Sequence, residues 1–174
     1  MFVLTGVMAS GKSTVAQLLA QRFERGVHLR GDVFRKMIVS GRAEITPDLP
    51  DEAVAQLELR WSIAARTADD YWRAGFDVVV QDILIGDAFD AFLSMIAARP
   101  LHAVVLVARP SVIAERERAR PKTGYGSWSV EASCDALETE TAHIGLWLDT
   151  SELSPKQTVE EILHRRDDAL VSER

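Results

Sequence analysis

The run Gly6-Val7-Met8-Ala9-Ser10-Gly11-Lys12-Ser13 constrains what this chain can fold into more than any other feature. It fits the pattern G-x-x-x-x-G-K-[ST], a phosphate-binding P-loop, which belongs between a buried strand and the start of a helix. Both neighbours are present. Phe2-Val3-Leu4 is a short apolar run of strand type, and Thr14-Val15-Ala16-Gln17-Leu18-Leu19-Ala20 has the apolar spacing of an amphipathic helix. Gly6 and Gly11 let the backbone turn tightly and bring its N–H groups close to phosphate oxygens. The helix starting near Lys12 adds its positive dipole end and unpaired N–H groups at the same point. Gly6, Val7, Met8, Ala9, Ser10, Gly11, Lys12, Ser13 and Thr14 are therefore the expected phosphate-binding residues. The Lys12 ammonium is expected on the β- and γ-phosphates, and the Ser13 hydroxyl on Mg²⁺.

Apolar runs and helical patterns alternate along the rest of the chain, which predicts an α/β fold with a parallel sheet. Strands are expected at residues 2–5, 27–29, 77–81, 103–107 and 146–148. Helices are expected at about 12–24, 33–40, 52–74, 87–97, 111–119, 129–141 and 155–170. Pro47-Asp48-Leu49-Pro50-Asp51 breaks the chain before the longest helix, and Pro121 ends the helix before it. Ser154-Pro155 reads as an N-cap followed by proline at the first helical position. No repeat, linker or low-complexity tract divides the 174 residues, so one domain spanning 1–174 is expected.

In an open parallel sheet, ligands sit beyond the carboxyl ends of the strands. The second strand delivers Asp32 to that rim. A carboxylate there can take a proton from an attacking hydroxyl, although aspartate is also a favoured N-cap for the helix that follows. Arg35, one turn on, is a candidate for binding the acceptor or the transferring phosphate. The third strand ends in Asp82, a candidate for orienting an acceptor hydroxyl or holding Mg²⁺ through water. Residues 109–122 carry five basic side chains (Arg109, Arg116, Arg118, Arg120, Lys122) against Glu115 and Glu117. Followed by Gly124-Tyr125-Gly126, this segment suits a lid over about 109–128 that brings arginines to phosphates. Arg116 and Arg120 share a helical face and are the first candidates. The loop after the last strand offers Leu153 and Pro155 as an apolar wall for a nucleobase.

Bulk properties narrow the partners. A formal net charge of −6 argues against gripping a nucleic-acid backbone. The single cysteine, Cys134, excludes an internal disulfide framework, and the four histidines show no metal-ligand spacing. No apolar run reaches membrane-spanning length, and the strand beginning at residue 2 leaves no room for a signal peptide. A cytoplasmic protein, monomeric or homodimeric, is expected.

Taken together these stretches resemble the small P-loop kinases of the chloramphenicol phosphotransferase type. Related groups are the gluconate and shikimate kinases, the zeta-toxin-type sugar-nucleotide kinases and the kinase domain of polynucleotide kinase. Leu29-Arg30-Gly31-Asp32-Val33-Phe34-Arg35 is similar to the family stretch whose aspartate is the catalytic base. Val78-Val79-Val80-Gln81-Asp82 through Gly86 is similar to the phosphotransferase strand ending in an acid and a glycine. Glu115 to Arg120 resembles the lid, and Leu148 to Ser151 with Ser154-Pro155 the nucleotide-base loop. The resemblance implies a three-layer, nucleoside-kinase-like P-loop NTPase fold with five parallel strands in the order 2-3-1-4-5 and a helical lid. It also implies ATP with Mg²⁺, and phosphorylation of a hydroxyl on a small molecule, either an antibiotic or a sugar or other metabolite. Ser40 to Glu58, which matches nothing in the family pattern, is expected to shape the acceptor pocket. Two other readings stand beside this one: a polynucleotide 5′-hydroxyl kinase-like enzyme, and a nucleotide-binding switch or toxin-like module.

Overall fold

Phe2–Thr5, Asp77–Gln81 and His102–Val107 are apolar on both sides, so a sheet built from them must be covered by helices on both faces. The computed structural model, which describes residues 1–46, 48, 50–120, 125 and 128–172, has this arrangement. The strands are β1 (Phe2–Thr5), β2 (Gly26–Arg30), β3 (Asp77–Gln81), β4 (His102–Val107) and β5 (Leu146–Asp149). All pair in parallel, as the alternating pattern predicts, and in the order β2-β3-β1-β4-β5 that the family resemblance implies. Phe2 lies between Val79 and His102, which sets the central register. The five carboxyl ends therefore share one rim.

The helices are α1 (Lys12–Ala20), α2 (Asp32–Lys36), α3 (Asp51–Arg73), α4 (Asp87–Met95), α5 (Pro110–Arg118), α6 (Val130–Glu140) and α7 (Pro155–His164). On one face Phe2, Leu4, Val79 and Val104 meet Val15, Ala16 and Leu19 of α1 and Val159 and Ile162 of α7. On the other, Val3, Val78, Val80 and Val105 meet α3 to α6 through residues such as Phe89, Phe92, Ile113 and Leu137. Ala64, Ala65 and Ala68 are fully buried, and their small side chains let α3 lie close against the sheet. Asp69, also buried, accepts hydrogen bonds from the amides of Ala97 and Ala98 at 3.0 and 2.9 Å, fastening the segment after α4 to α3.

Helix ends account for most differences from the expected boundaries. α1 stops at Ala20, where Arg22 and Phe23 turn back onto the carbonyls of Leu19 and Ala20. α2 is one turn long and ends at Lys36, not Ser40. The last helix ends at His164, because Arg165 leaves helical geometry and a 3-10 turn follows over Arg166–Ala169. Ser154 does cap α7, in a reciprocal capping box with Gln157. The breaker residues Pro47 and Leu49, the lid residues 121–124 and 126–127, and the tail residues 173–174 lie outside the described residues.

Candidate active site

The P-loop leaves β1 and enters α1 through three residues of positive φ: Gly6 at 145°, Ala9 at 62° and Gly11 at 94°. Gly6 is required for space as well as conformation, since a β-carbon there would come within 2.5 Å of the Leu106 carbonyl oxygen. Ala9 is the non-glycine exception among the described residues, and left-handed geometry costs an L-residue about 1–2 kcal/mol. Such strain persists only where surrounding contacts hold it. Lys12 is buried, and its Nζ donates to the carbonyls of Gly6 and Val7 at 2.8 and 2.7 Å. Burial pushes the Lys12 ammonium down to about 7, against the pull of Asp82 and with a further push from Arg120. Ser13 is exposed, its Oγ 3.4 Å from Gln81 Oε1 at the end of β3.

Asp32 is the first residue of α2 and not its cap. Its side chain pairs with Lys36 one turn along and with Arg30 at 3.3 Å, and no side chain caps the helix. Partial burial raises its carboxyl, but the Lys36 hydrogen bond and the charges of Arg30 and Lys36 outweigh this and hold it below the usual range. It is ionised at neutral pH. Arg35, by contrast, donates to the Ala43 carbonyl at 2.8 Å and to Glu44 at 3.2 Å.

Asp82 is buried at the tip of β3. Its Oδ1 accepts from Arg60 Nη2 at 2.9 Å and from the Ile83 amide at 2.8 Å. Its Oδ2 and the Nε of Arg60 are buried without partners. Burial pushes the Asp82 carboxyl up, opposed by Arg60, the Ile83 amide and Lys12. Gly31 presses on this carboxylate: a β-carbon there would stand 2.1 Å from Oδ2. Sequence reasoning missed Arg60. Its signal was position, because Leu57, Arg60, Trp61, Ala64 and Ala68 fall on the buried stripe of α3, where an arginine needs a partner.

Across the rim, Arg116 of α5 reaches the loop after β5, donating to the Thr150 hydroxyl at 3.2 Å and carbonyl at 2.7 Å. Arg120 pairs with Glu117 at 2.8 Å. Tyr125, from the expected lid segment, is buried and donates its hydroxyl to the Met8 carbonyl of the P-loop at 2.8 Å. Cys134, in α6, has its thiol pushed up by burial and by Glu138 and Glu131, the opposite of an activated nucleophile.

One cavity of about 660 Å³ gathers these groups. Its walls include P-loop residues Met8 to Ser13 with Thr14, and also Asp32, Asp82, Arg116, Arg120, Leu153 and Pro155, all singled out from sequence, together with Arg60. Gly6, Val7 and Arg35 do not line it. Nor does any described residue of the stretch 40–58, which was expected to shape the acceptor pocket. Gln56 bonds the Gly41 carbonyl and the Ala43 amide, and Arg35 holds Ala43 and Glu44, so that stretch is folded down on α2 and α3. Among the described residues no three His, Cys, Asp or Glu side chains cluster to hold a metal, and no helix is long and apolar enough to cross a membrane.

Set beside known proteins, residues 1–144 match the family described as the AAA domain. The chain belongs to that family, and its fold is that of the small P-loop kinases. Among solved structures it is similar to a sugar kinase from Janibacter sp. HTCC2649, with 21% identity, 97% of this chain and 94% of that one covered, and a TM-score of 0.69. A tunicamycin resistance protein of Deinococcus radiodurans superposes with 18% identity, 99% and 98% coverage, and a TM-score of 0.64. Shikimate kinase from Aquifex aeolicus gives 18%, 95% and 95%, and 0.63. No curated protein matches the sequence significantly.

Proposed function

We propose that this chain is an ATP-dependent phosphotransferase that moves the γ-phosphate onto a hydroxyl of a small molecule. The observation that carries the reading is the cavity in which a P-loop, two carboxylates from adjacent strand ends and two arginines of the lid side all meet. In this reading the P-loop amides and Lys12 hold the phosphates, and Leu153 and Pro155 wall the base. Asp32, ionised and half-exposed, accepts the proton of the attacking hydroxyl. Arg116 and Arg120 face the charge that develops on the transferring group. Asp82 and Arg60 form the floor beneath the acceptor.

The residues present suit Mg²⁺. Ser13 Oγ and Gln81 Oε1 are neutral oxygen donors 3.4 Å apart on the cavity side of β3, the hard-ligand chemistry of a site that phosphates and waters complete. Ser13 would hold the ion directly and Asp82 through water. When bound, Mg²⁺ would neutralise phosphate charge.

The acceptor class, a sugar or other metabolite hydroxyl or an antibiotic, draws on what the sugar kinase, shikimate kinase and tunicamycin resistance protein are named for. The test is incubation with ATP and Mg²⁺ against aminoglycosides, phenicols, nucleosides, sugars and 5′-hydroxyl oligonucleotides. ADP release matched by one phosphate mass on a small molecule is the expected result. ADP release with no acceptor modified across the panel, together with a stable protein partner, would replace this reading with a nucleotide-binding switch.

A further inference from the structure

We infer that Tyr125 is a positioning residue for the phosphate cradle, fixing the Met8–Ala9 peptide in the orientation that aims the Ala9 amide at phosphate. The inference rests on the nucleotide reading above and adds a residue that the P-loop pattern does not contain.

Three observations converge. The Tyr125 hydroxyl donates to the Met8 carbonyl oxygen at 2.8 Å, across 117 residues of chain. The next residue, Ala9, has φ of 62°, the left-handed geometry that a non-glycine residue keeps only when held. Ala9, Ser10 and Gly11 line the cavity. In a trans peptide the C=O and the following N–H point in opposite directions across one rigid plane. A donor fixed on the Met8 oxygen therefore also fixes the direction of the Ala9 N–H. Pulling the carbonyl back toward Tyr125 turns the amide away from Tyr125. The phenol can do this because its ring is anchored: it is 7% exposed and lies in the same apolar cluster as Ile113, Cys134 and Leu137, against which Met8 and Ala9 also pack. Burial also pushes the phenol's titration up, so it stays a donor throughout the physiological range. Glycine, the usual answer to a positive φ, is absent at position 9, and a hydrogen bond from another segment takes its place.

The experiment compares ADP binding by the wild-type chain, Tyr125→Phe and Ile162→Val, using calorimetry, with unfolding followed by circular dichroism. Tyr125→Phe keeps the buried ring and removes only the donor. Ile162→Val, on α7 and fully buried on the opposite face, controls for a general loss of stability. We expect the ADP dissociation constant to rise about fivefold in Tyr125→Phe, the worth of one net hydrogen bond. In Ile162→Val it should stay within twofold of wild type. In ¹⁵N spectra the Ala9 amide signal should shift or broaden in Tyr125→Phe alone. Wild-type affinity in Tyr125→Phe, or an equal loss in both variants, overturns the assignment. A wild-type chain that binds no ADP overturns the nucleotide reading, and this inference with it.

Discussion

Arg60 Nη2 lies 2.9 Å from Asp82 Oδ1, and the two side chains are only 10% and 5% exposed. This pair ties the middle of α3 to the tip of β3 directly beneath the cavity. Burying two charges is costly, and their attraction roughly offsets that cost only while both are present. Removing Arg60 alone strands a buried carboxylate. Arg60→Leu is expected to lose about 3–5 kcal/mol of stability, whereas Arg60→Leu with Asp82→Leu should lose much less. Denaturant unfolding of the two single variants and the double variant measures the coupling. Additive losses would mean that the pair contributes nothing as a pair.

Gly31 makes the same point sterically. Its φ of −62° suits any residue, so glycine is needed there for room and not for conformation. A β-carbon would meet Asp82 Oδ2 at 2.1 Å and Cγ at 2.7 Å. Gly31→Ala should destabilise by about 1–3 kcal/mol through overpacking. The same change in an Asp82→Ala background should be nearly neutral, and an equal cost in both backgrounds would show that Asp82 is not what Gly31 accommodates.

Lys12 gives a pH signature. Its folded value is about 7 against 10.5 when free, with burial the main cause. Between those values the unfolded chain holds a proton that the folded chain lacks, so stability rises with pH across that window. The cost of burying the charge is full below pH 7 and is relieved as pH climbs toward 10.5. Lys12→Met removes the group, so the wild-type chain should gain stability relative to it from pH 7 to pH 9. Phosphate beside the amine restores the charge. ADP binding at pH 8 should therefore take up most of one proton, seen as a buffer-dependent enthalpy, and at pH 5.5 almost none. Lys12→Met should fold, show no such uptake and transfer no phosphate.

The P-loop, the two acids that follow β2 and β3 and the order of elements could be read in the sequence because each rests on local pattern: glycine spacing, apolar runs, polar residues at strand ends. What the sequence concealed is long-range pairing. The place of Arg60 on the apolar stripe of α3 calls for a partner, but only the fold names it as Asp82, 22 residues away. Tyr125 sits in the glycine-flanked stretch expected to belong to a lid, and only the tertiary fold sets its hydroxyl on Met8. Arg35 shows the converse. Its place one turn after Asp32 pointed toward an acceptor, yet the nearest carbonyl and carboxylate, Ala43 and Glu44, take its guanidinium.

Asp32 separates chemistry from architecture. It caps no helix, so its replacement should cost little stability beyond the partly exposed pairs with Arg30 and Lys36. The proposed reaction has it accept the proton of the attacking hydroxyl, and on that reading it should matter greatly to turnover. Asp32→Asn is expected to lower kcat by about 10²–10⁴-fold with ADP affinity within twofold of wild type. If turnover survived intact, the proton would leave by another route, and Asp82 would be the next carboxylate to replace.

Arg116 has two roles to tell apart, because its guanidinium now spans the Thr150 hydroxyl and carbonyl at 3.2 and 2.7 Å. Thr150 begins the loop that carries Leu153 and Pro155 to the cavity, so Arg116 can act by bracing that loop or by facing the phosphates. Thr150→Val removes the hydroxyl contact and leaves the carbonyl contact and the charge. Arg116→Ala removes everything. A phosphate role predicts that Arg116→Ala loses at least about a hundredfold in kcat, the scale of one lost transition-state donor, while Thr150→Val keeps kcat and raises the KM for ATP by no more than a few-fold. A bracing role predicts instead that both variants raise that KM and spare kcat. Arg116→Lys sharpens the distinction: it keeps the charge and loses the planar fork that binds Thr150 at two points, so it should recover much of kcat if the charge is what the reaction uses.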